Sequence, residues 1–347
     1  MKNKVLIFID VAAPKNLLQT EVIMEQGYDP FFFVTNYNAV FEKKINRQDL
    51  QIILKSGFLK RLQQVKYYFK KNKNSIHHIE VYPGGRFSFL YILLGKLYKI
   101  RSICAERGDL LYYHKKGYSK WVRFSMWYCY KFSDLIWYRE PYMKPILKKY
   151  NKKIFFLHNA IKVNSTTVNS SKRDITFLWL NRVIPERRYD WYIDALSNPD
   201  LKQTKNYLVG IITASYKKEQ EYILKNKSEN LSIIDFTATP EQFYKRSKFF
   251  VLPSEVVFAN HALLEAMSYG VVPIVSEQPG SSLIIDNGKN GFIFNHTKND
   301  FETAILKAFN LPDEEYNNLS TASSQKIKNE FSEEKYKVAI KEMYCLI

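Results

Sequence analysis

Cysteine is scarce in this sequence: only Cys104, Cys129 and Cys345 occur, odd in number and far apart. That excludes a disulfide framework or a spaced zinc-ligand set and suits a reduced, cytoplasmic setting. Long apolar runs are missing too. The longest, such as Phe87 to Leu94, fall well short of the ~20 residues a membrane-crossing helix needs. The opening MKNKVLIFIDVAAPKN pairs basic residues with a short apolar run, but the run stops at Asp10 with no signal-peptide cleavage site, so it reads as a first strand. Acidic residues are thin in one half only. Residues 1–165 hold 30 Lys and Arg against 11 Asp and Glu, whereas residues 166–347 hold 22 against 23. So lopsided a surface attracts anionic headgroups, phosphorylated molecules or nucleic acid, unless it is simply a solvated lysine-rich face.

What is present is alternation. VLIFID, a helical stretch to about Gln26 and PFFFVT make a β-α-β start, and IHHIEVY, DLIWY and KIFFLHN continue the series after a Pro83-Gly84-Gly85 break. The polar segment from Val163 to Arg173 reads as a linker. Beyond it the alternation restarts with DITFLWL, NYLVGII, LSIIDF, FFVLP and VVPIVS as strands, and with NHALLEAMSYG, FETAILKAF and EKYKVAIKEMY among the helices. The expected fold class is α/β, with two doubly wound parallel-sheet domains. In the first, FLKRLQQVKYYFKK sets Phe58, Leu59, Leu62, Val65 and Phe69 on one helical face amid Lys and Arg. Such a helix suits an anionic membrane, or equally a core with a wet basic back.

Two segments carry candidate chemistry. The loop after Pro253 leaves the carboxyl end of a strand, where open α/β sheets bind ligands, and the helix beginning near Asn260, His261 and Ala262 would turn amide groups toward a phosphate. Glu265, early in that helix, can accept both hydroxyls of a ribose, or it is an ordinary surface carboxylate. In LNRVIPERRYDWYIDAL, Arg182 follows a strand and Arg187 comes five residues later. Guanidinium forks hold a diphosphate bidentately; the alternative is a surface cluster paired with Glu186 or Asp190. Glu106, at a strand end, and Arg107 beside it are candidates for a second substrate in the first half.

Taken together the segments resemble the retaining family 4 glycosyltransferases of the GT-B fold. Asn181 and Arg182 stand at the family's Gly-Arg and Arg187 at its Lys, while Glu265, Ala266, Met267 and Gly270 stand at the second Glu of its Glu-x7-Glu motif and onward. Asn287 to Gly291 is similar to its Asp-Gly-x-x-Gly turn, and His158, Asn159 and Ala160 to its interdomain Pro-Asn-Gly. The likeness runs from about Ile154 to Ile347. Val257 and Leu283 stand where the family has Glu, and Val11 to Pro14 replace its Gly-Gly loop.

The resemblance implies two Rossmann-like domains facing a cleft: residues 1–163 for the acceptor, 174–325 for the nucleotide sugar, and a helix over 326–347 returning toward the first. It implies a retaining enzyme that moves a sugar from a UDP- or GDP-linked donor to a hydroxyl of a surface polysaccharide or glycolipid. Arg182 and Arg187 would be catalytic; Glu265, Asn260, His261, Ala262 and Gly280 would bind the donor; Glu106 and Arg107 would bind the acceptor. With no Asp-x-Asp in the chain, a metal-bridged diphosphate is not expected, nor is any cofactor. The expected place is the cytoplasm, peripheral on the inner face of the cell membrane, with no nucleic-acid partner because no module for one is present. Val257 and Leu283 keep a second reading open, a catalytically inactive nucleotide-sugar-binding subunit.

Overall fold

The computed structural model describes residues 3–13, 16–107, 117–163, 173–210, 217–235 and 237–347. The chain divides into two compact units, Met1–His158 with Tyr336–Ile347, and Asn159–Lys335. The expected linker lies mostly within 164–172, outside the described residues.

In the first unit the strands are β1 (Lys4–Val11), β2 (Asp29–Asn36), β3 (Gln51–Ile53), β4 (Ile76–Val81), β5 (Arg101–Glu106), β6 (Leu135–Tyr138) and β7 (Ile154–Phe156). Its helices are α1 (Leu17–Glu25), α2 (Ala39–Ile45), α3 (Phe58–Asn72), α4 (Ser88–Leu97), α5 (Lys120–Phe132) and α6 (Met143–Leu147). The strands form one parallel sheet in the order β3-β2-β1-β4-β5-β6-β7. Val5, Leu6, Ile7 and Phe8 are all buried, because both faces of a parallel sheet are covered and its strands need apolar residues on each. Phe8 stacks on Phe33 and Tyr91, with ring centroids 4.7 and 4.1 Å apart.

Helix α3 divides the face expected of it. Val65 and Phe69 are buried in this core, with Phe69 edge-on to Phe8, whereas Phe58 and Leu59 in the first turn stay exposed. The helix packs on the core from Leu62 onward and leaves its first turn outside.

The second unit contains β8 (Ile175–Leu180), β9 (Asn206–Val209), β10 (Leu231–Ile234), β11 (Ser247–Leu252), β12 (Val272–Ser276) and β13 (Phe292–Phe294). Helices α7 (Tyr189–Ala195), α8 (Lys217–Asn226), α9 (Glu241–Tyr244), α10 (His261–Ser268), α11 (Ser281–Ile284), α12 (Lys298–Phe309) and α13 (Asp313–Glu330) surround them, and α14 (Glu333–Cys345) closes the chain. The sheet is again parallel, in the order β10-β9-β8-β11-β12-β13.

In both sheets the chain builds outward from a first strand, then crosses to its other side. The crossings fall between β1 and β4 and between β8 and β11. Adjacent loops diverge at such points, which leaves a crevice at the carboxyl edge. From Tyr336 onward α14 belongs to the first unit, where Tyr344 donates a hydrogen bond to the buried carboxylate of Glu80 (2.5 Å). Gln19 Nε2 donates to the other oxygen of Glu80 at 2.7 Å.

Candidate functional site

In the second unit the loops after β8 and β11 are stitched together. Beyond β8 the Asn181 amide bonds to the Val209 carbonyl at 3.0 Å. A Cβ at Gly210 would lie 2.3 Å from the Asn181 carbonyl oxygen, so this close passage of two strand ends requires glycine. Arg182 follows and is exposed. Pro185 then opens a single 3-10 turn ending at Arg187, the position where a fixed φ and a missing N–H cost nothing. Arg187 Nη1 donates to Ser254 Oγ at 2.9 Å and to the Val256 carbonyl at 2.8 Å. Glu255 N donates to the Glu186 carbonyl at 2.9 Å in the same seam. Of the carboxylates weighed as partners for this arginine, Asp190 pairs with Arg188 instead, at 2.9 Å. Arg188 also lies 4.3 Å from the Trp191 ring centroid.

Arg188 (φ 50°) and Phe258 (φ 45°), one on each loop, hold left-handed backbone without being glycine. Each costs on the order of 1–3 kcal/mol, and such residues concentrate where a fixed loop shape serves a ligand.

The start of α10 is fixed from two sides. Asn159 Nδ2 donates to the Ala259 carbonyl at 2.8 Å, and the Asn260 side-chain oxygen accepts from Leu263 N at 3.2 Å. Asn260, expected at the donor-facing start of this helix, thus serves as its cap, the usual work of Asn at this position. His261 and Ala262 form the first turn of this helix, the part of a helix whose amides point along the axis toward a ligand. Four residues on, Glu265 is half-buried and accepts from Tyr244 OH at 3.1 Å. Burial and the adjacent Glu265 push Tyr244 well above its ordinary value, so it remains a donor. Gly280 (φ 96°) begins α11 after β12, a conformation that favours glycine.

Arg187, the start of α10 and Gly280 therefore lie on loops from the carboxyl ends of three adjacent strands, with Glu265 one helical turn further in. A guanidinium, a helix N-terminus and a carboxylate there provide the groups that a diphosphate joined to a ribose needs. Val257 is buried among Leu263 and Leu264, so the position at which the resembling family carries its first Glu is a core position here. Glu255, two residues earlier, is exposed.

The first unit carries a pocket of about 260 Å³ at its own crossing point, lined by the ends of β1, β4 and β5. Both residues expected to meet a second substrate line it. Glu106 is buried and accepts from Tyr130 OH. Arg107 Nη1 donates to Tyr82 OH at 2.9 Å and to Gln19 Oε1 at 3.0 Å, with its guanidinium 5.0 Å from the Trp137 ring centroid. Asp10, Tyr82, Tyr91 and the pair Gly84-Gly85 also line it. The sequence reading takes Gly84-Gly85 only as a break and gives none of these residues a role, although two glycines just beyond a strand end are a visible signal. Burial pushes the Tyr91 hydroxyl up to about 12.

Residues 162–326 match the family of group 1 glycosyl transferases. The fold is GT-B. Over 138 residues the chain is 24% identical to a capsular polysaccharide biosynthesis glycosyltransferase, CapH, of Staphylococcus aureus, and the match covers 38% of this chain and 38% of that relative. Among solved structures, Anabaena Alr3699/HepE in complex with UDP-glucose superposes with a TM-score of 0.82 at 13% identity, over 99% of this chain and 100% of that one. A glycosyltransferase from Rickettsia africae ESF-5 gives 0.78 at 14% identity, over 99% and 98%.

Proposed function

We propose that the protein is a retaining glycosyltransferase that uses a UDP- or GDP-linked sugar, without metal or other cofactor, and delivers the sugar to a hydroxyl of a surface polysaccharide or glycolipid. The observation that carries this is the seam at the second crossing point. Arg187 is anchored on Ser254 and Val256, in the loop that leads into α10, and Glu265 lies further along that helix. In the reaction the bond between the anomeric carbon and the diphosphate oxygen breaks, the acceptor oxygen bonds to that carbon, and its proton passes to the departing diphosphate. Negative charge then grows on the diphosphate, and fixed arginines stabilise it without reorganising. Arg182 and Arg187 are assigned this task, and Glu265 the ribose hydroxyls. The relative solved with UDP-glucose favours UDP over GDP. The pocket with Glu106 and Arg107 is assigned to the acceptor. The CapH likeness and the excess of 30 basic over 11 acidic residues in 1–165 support a cell-surface glycan made at the inner face of the membrane.

The test is nucleotide release from a panel of UDP- and GDP-sugars, with and without EDTA, supplied with glycan or glycolipid acceptors. Slow release with one donor, resistant to EDTA, is expected; no release with any donor would sink the assignment. The buried Val257 favours one second reading, a subunit that binds the donor without turnover. Calorimetric binding with no hydrolysis or transfer would select it.

A further inference from the structure

Helix α5, KWVRFSMWYCYKF, turns aromatic rings outward. Trp121, Phe124 and Trp127 are 57%, 41% and 43% exposed, spaced three apart on one helical face, with Lys120, Arg123 and Lys131 also exposed on this helix. A helix that serves only to cover a sheet places polar side chains on that face. The rings do not stand alone. Phe124 lies 6.2 Å from Trp121, 5.9 Å from Trp127 and 5.4 Å from Phe89. Phe89 lies 6.5 Å from Phe58, the exposed first residue of α3, and Leu59 beside it is 68% exposed. One apolar face thus runs across three helices of the first unit.

The charge on those helices has a single sign. Helices α3, α4 and α5 carry nine Lys and Arg and no Asp or Glu. Arg61 and Arg86 lie 5.2 and 5.8 Å from the Phe87 ring centroid. Exposed Trp and Phe between cations suit the boundary between lipid headgroups and acyl chains, where the rings enter the apolar layer and the cations meet anionic headgroups. A protein partner would need carboxylates spread around an aromatic centre; an anionic bilayer offers both properties over its whole area.

We infer that the face formed by Trp121, Phe124, Trp127, Phe58 and Leu59 docks the protein on an anionic bilayer, so that the acceptor is a saccharide carried on a lipid. The second clause rests on the acceptor role proposed above for the first-unit pocket. Arg61 and Phe87 line that pocket and also adjoin the aromatic face, so a lipid-carried saccharide reaches the pocket without leaving the membrane surface.

The test is sedimentation of the full chain with vesicles of phosphatidylcholine alone, or of phosphatidylcholine mixed with phosphatidylglycerol. It compares wild type with a triple variant, Trp121→Ser, Phe124→Ser and Trp127→Ser, whose far-UV spectrum and melting midpoint verify its fold. Wild type is expected on the anionic vesicles only, with the variant bound about tenfold more weakly. Its tryptophan emission should shift to the blue on binding, and most of that shift should vanish in the variant, since Trp137 and Trp179 are wholly buried. Wild type that ignores anionic vesicles overturns both the face and the peripheral placement. Equal binding by wild type and variant overturns the face alone. Hydrolysis of the nucleotide sugar without vesicles is expected to be equal in the two proteins, and its loss in both would count against the glycosyltransferase reading, not against the face.

Discussion

Replacing Arg187 with Ala separates the structural and chemical work of one side chain. In the resting protein its Nη1 makes hydrogen bonds of 2.9 Å to Ser254 Oγ and 2.8 Å to the Val256 carbonyl. Ser254 Oγ also donates to the Glu186 carbonyl at 3.3 Å, and Glu255 N bonds to that same carbonyl, so the seam keeps two links without the arginine. The structural loss should therefore be about 1–2 kcal/mol, a fall in melting midpoint of roughly 2–4 °C for each kcal/mol. The chemical loss should be larger. Removing a fixed donor from a developing negative charge costs about 100- to 1,000-fold in turnover, or roughly 3–4 kcal/mol. Because that charge appears as the bond breaks, kcat should fall more than KM rises. Lysine at the position keeps the charge but loses the fork, and should fall between. Nucleotide release from the preferred donor, followed in parallel with thermal melting, reads both effects. An Ala variant that melts within a few degrees of wild type and turns over at the same rate would refute the reasoning.

Other substitutions probe other parts of the account. Glu265→Ala should weaken UDP binding roughly 10- to 100-fold by calorimetry, since hydrogen bonds to a charged group contribute about 1.5–3 kcal/mol; unchanged affinity would remove Glu265 from the site. Glu80→Leu leaves Gln19 and Tyr344 as buried donors without their acceptor and should destabilise the first unit by about 2–5 kcal/mol in urea unfolding. The His296 ring lies 4.8 Å from that of Trp191, tilted by 39°, and burial holds it below its ordinary 6.5. The unfolded chain then takes up this proton first, so the contribution of His296 is constant above about pH 6.5 and turns unfavourable as pH falls below it. His296→Phe should flatten stability between about pH 7.5 and 5, and a slope identical to wild type would count against the assignment.

Most strands of both sheets were legible as runs of apolar residues, because a strand buried on two faces leaves no alternation to misread. The loops after β8 and β11 were legible for the same reason, since strand ends locate them. β3 and β13 were not: three residues each, Gln51–Ile53 and Phe292–Phe294, carry too little pattern. Helix α13 escaped because Tyr316, Leu319, Ser323 and Ile327 are its only buried residues, a stripe too narrow and too polar to stand out. Tyr244 as partner of Glu265 could not be read from the sequence, since tertiary packing alone brings together residues so far apart in the chain. The helix start at Asn260 is legible, and its side-chain cap on Leu263 N is what Asn supplies at that position. In α5 the aromatic residues surround the helix, so periodicity does not reveal which of them face outward.

The central claim is that the crossing point of the second unit binds a nucleoside diphosphate. Calorimetric titration of the wild-type chain with UDP and with GDP tests it most directly. The account predicts one site per chain for one of the two nucleotides, weakened in Glu265→Ala; the absence of heat with both nucleotides and with their sugars, from a protein shown to be folded, would contradict it.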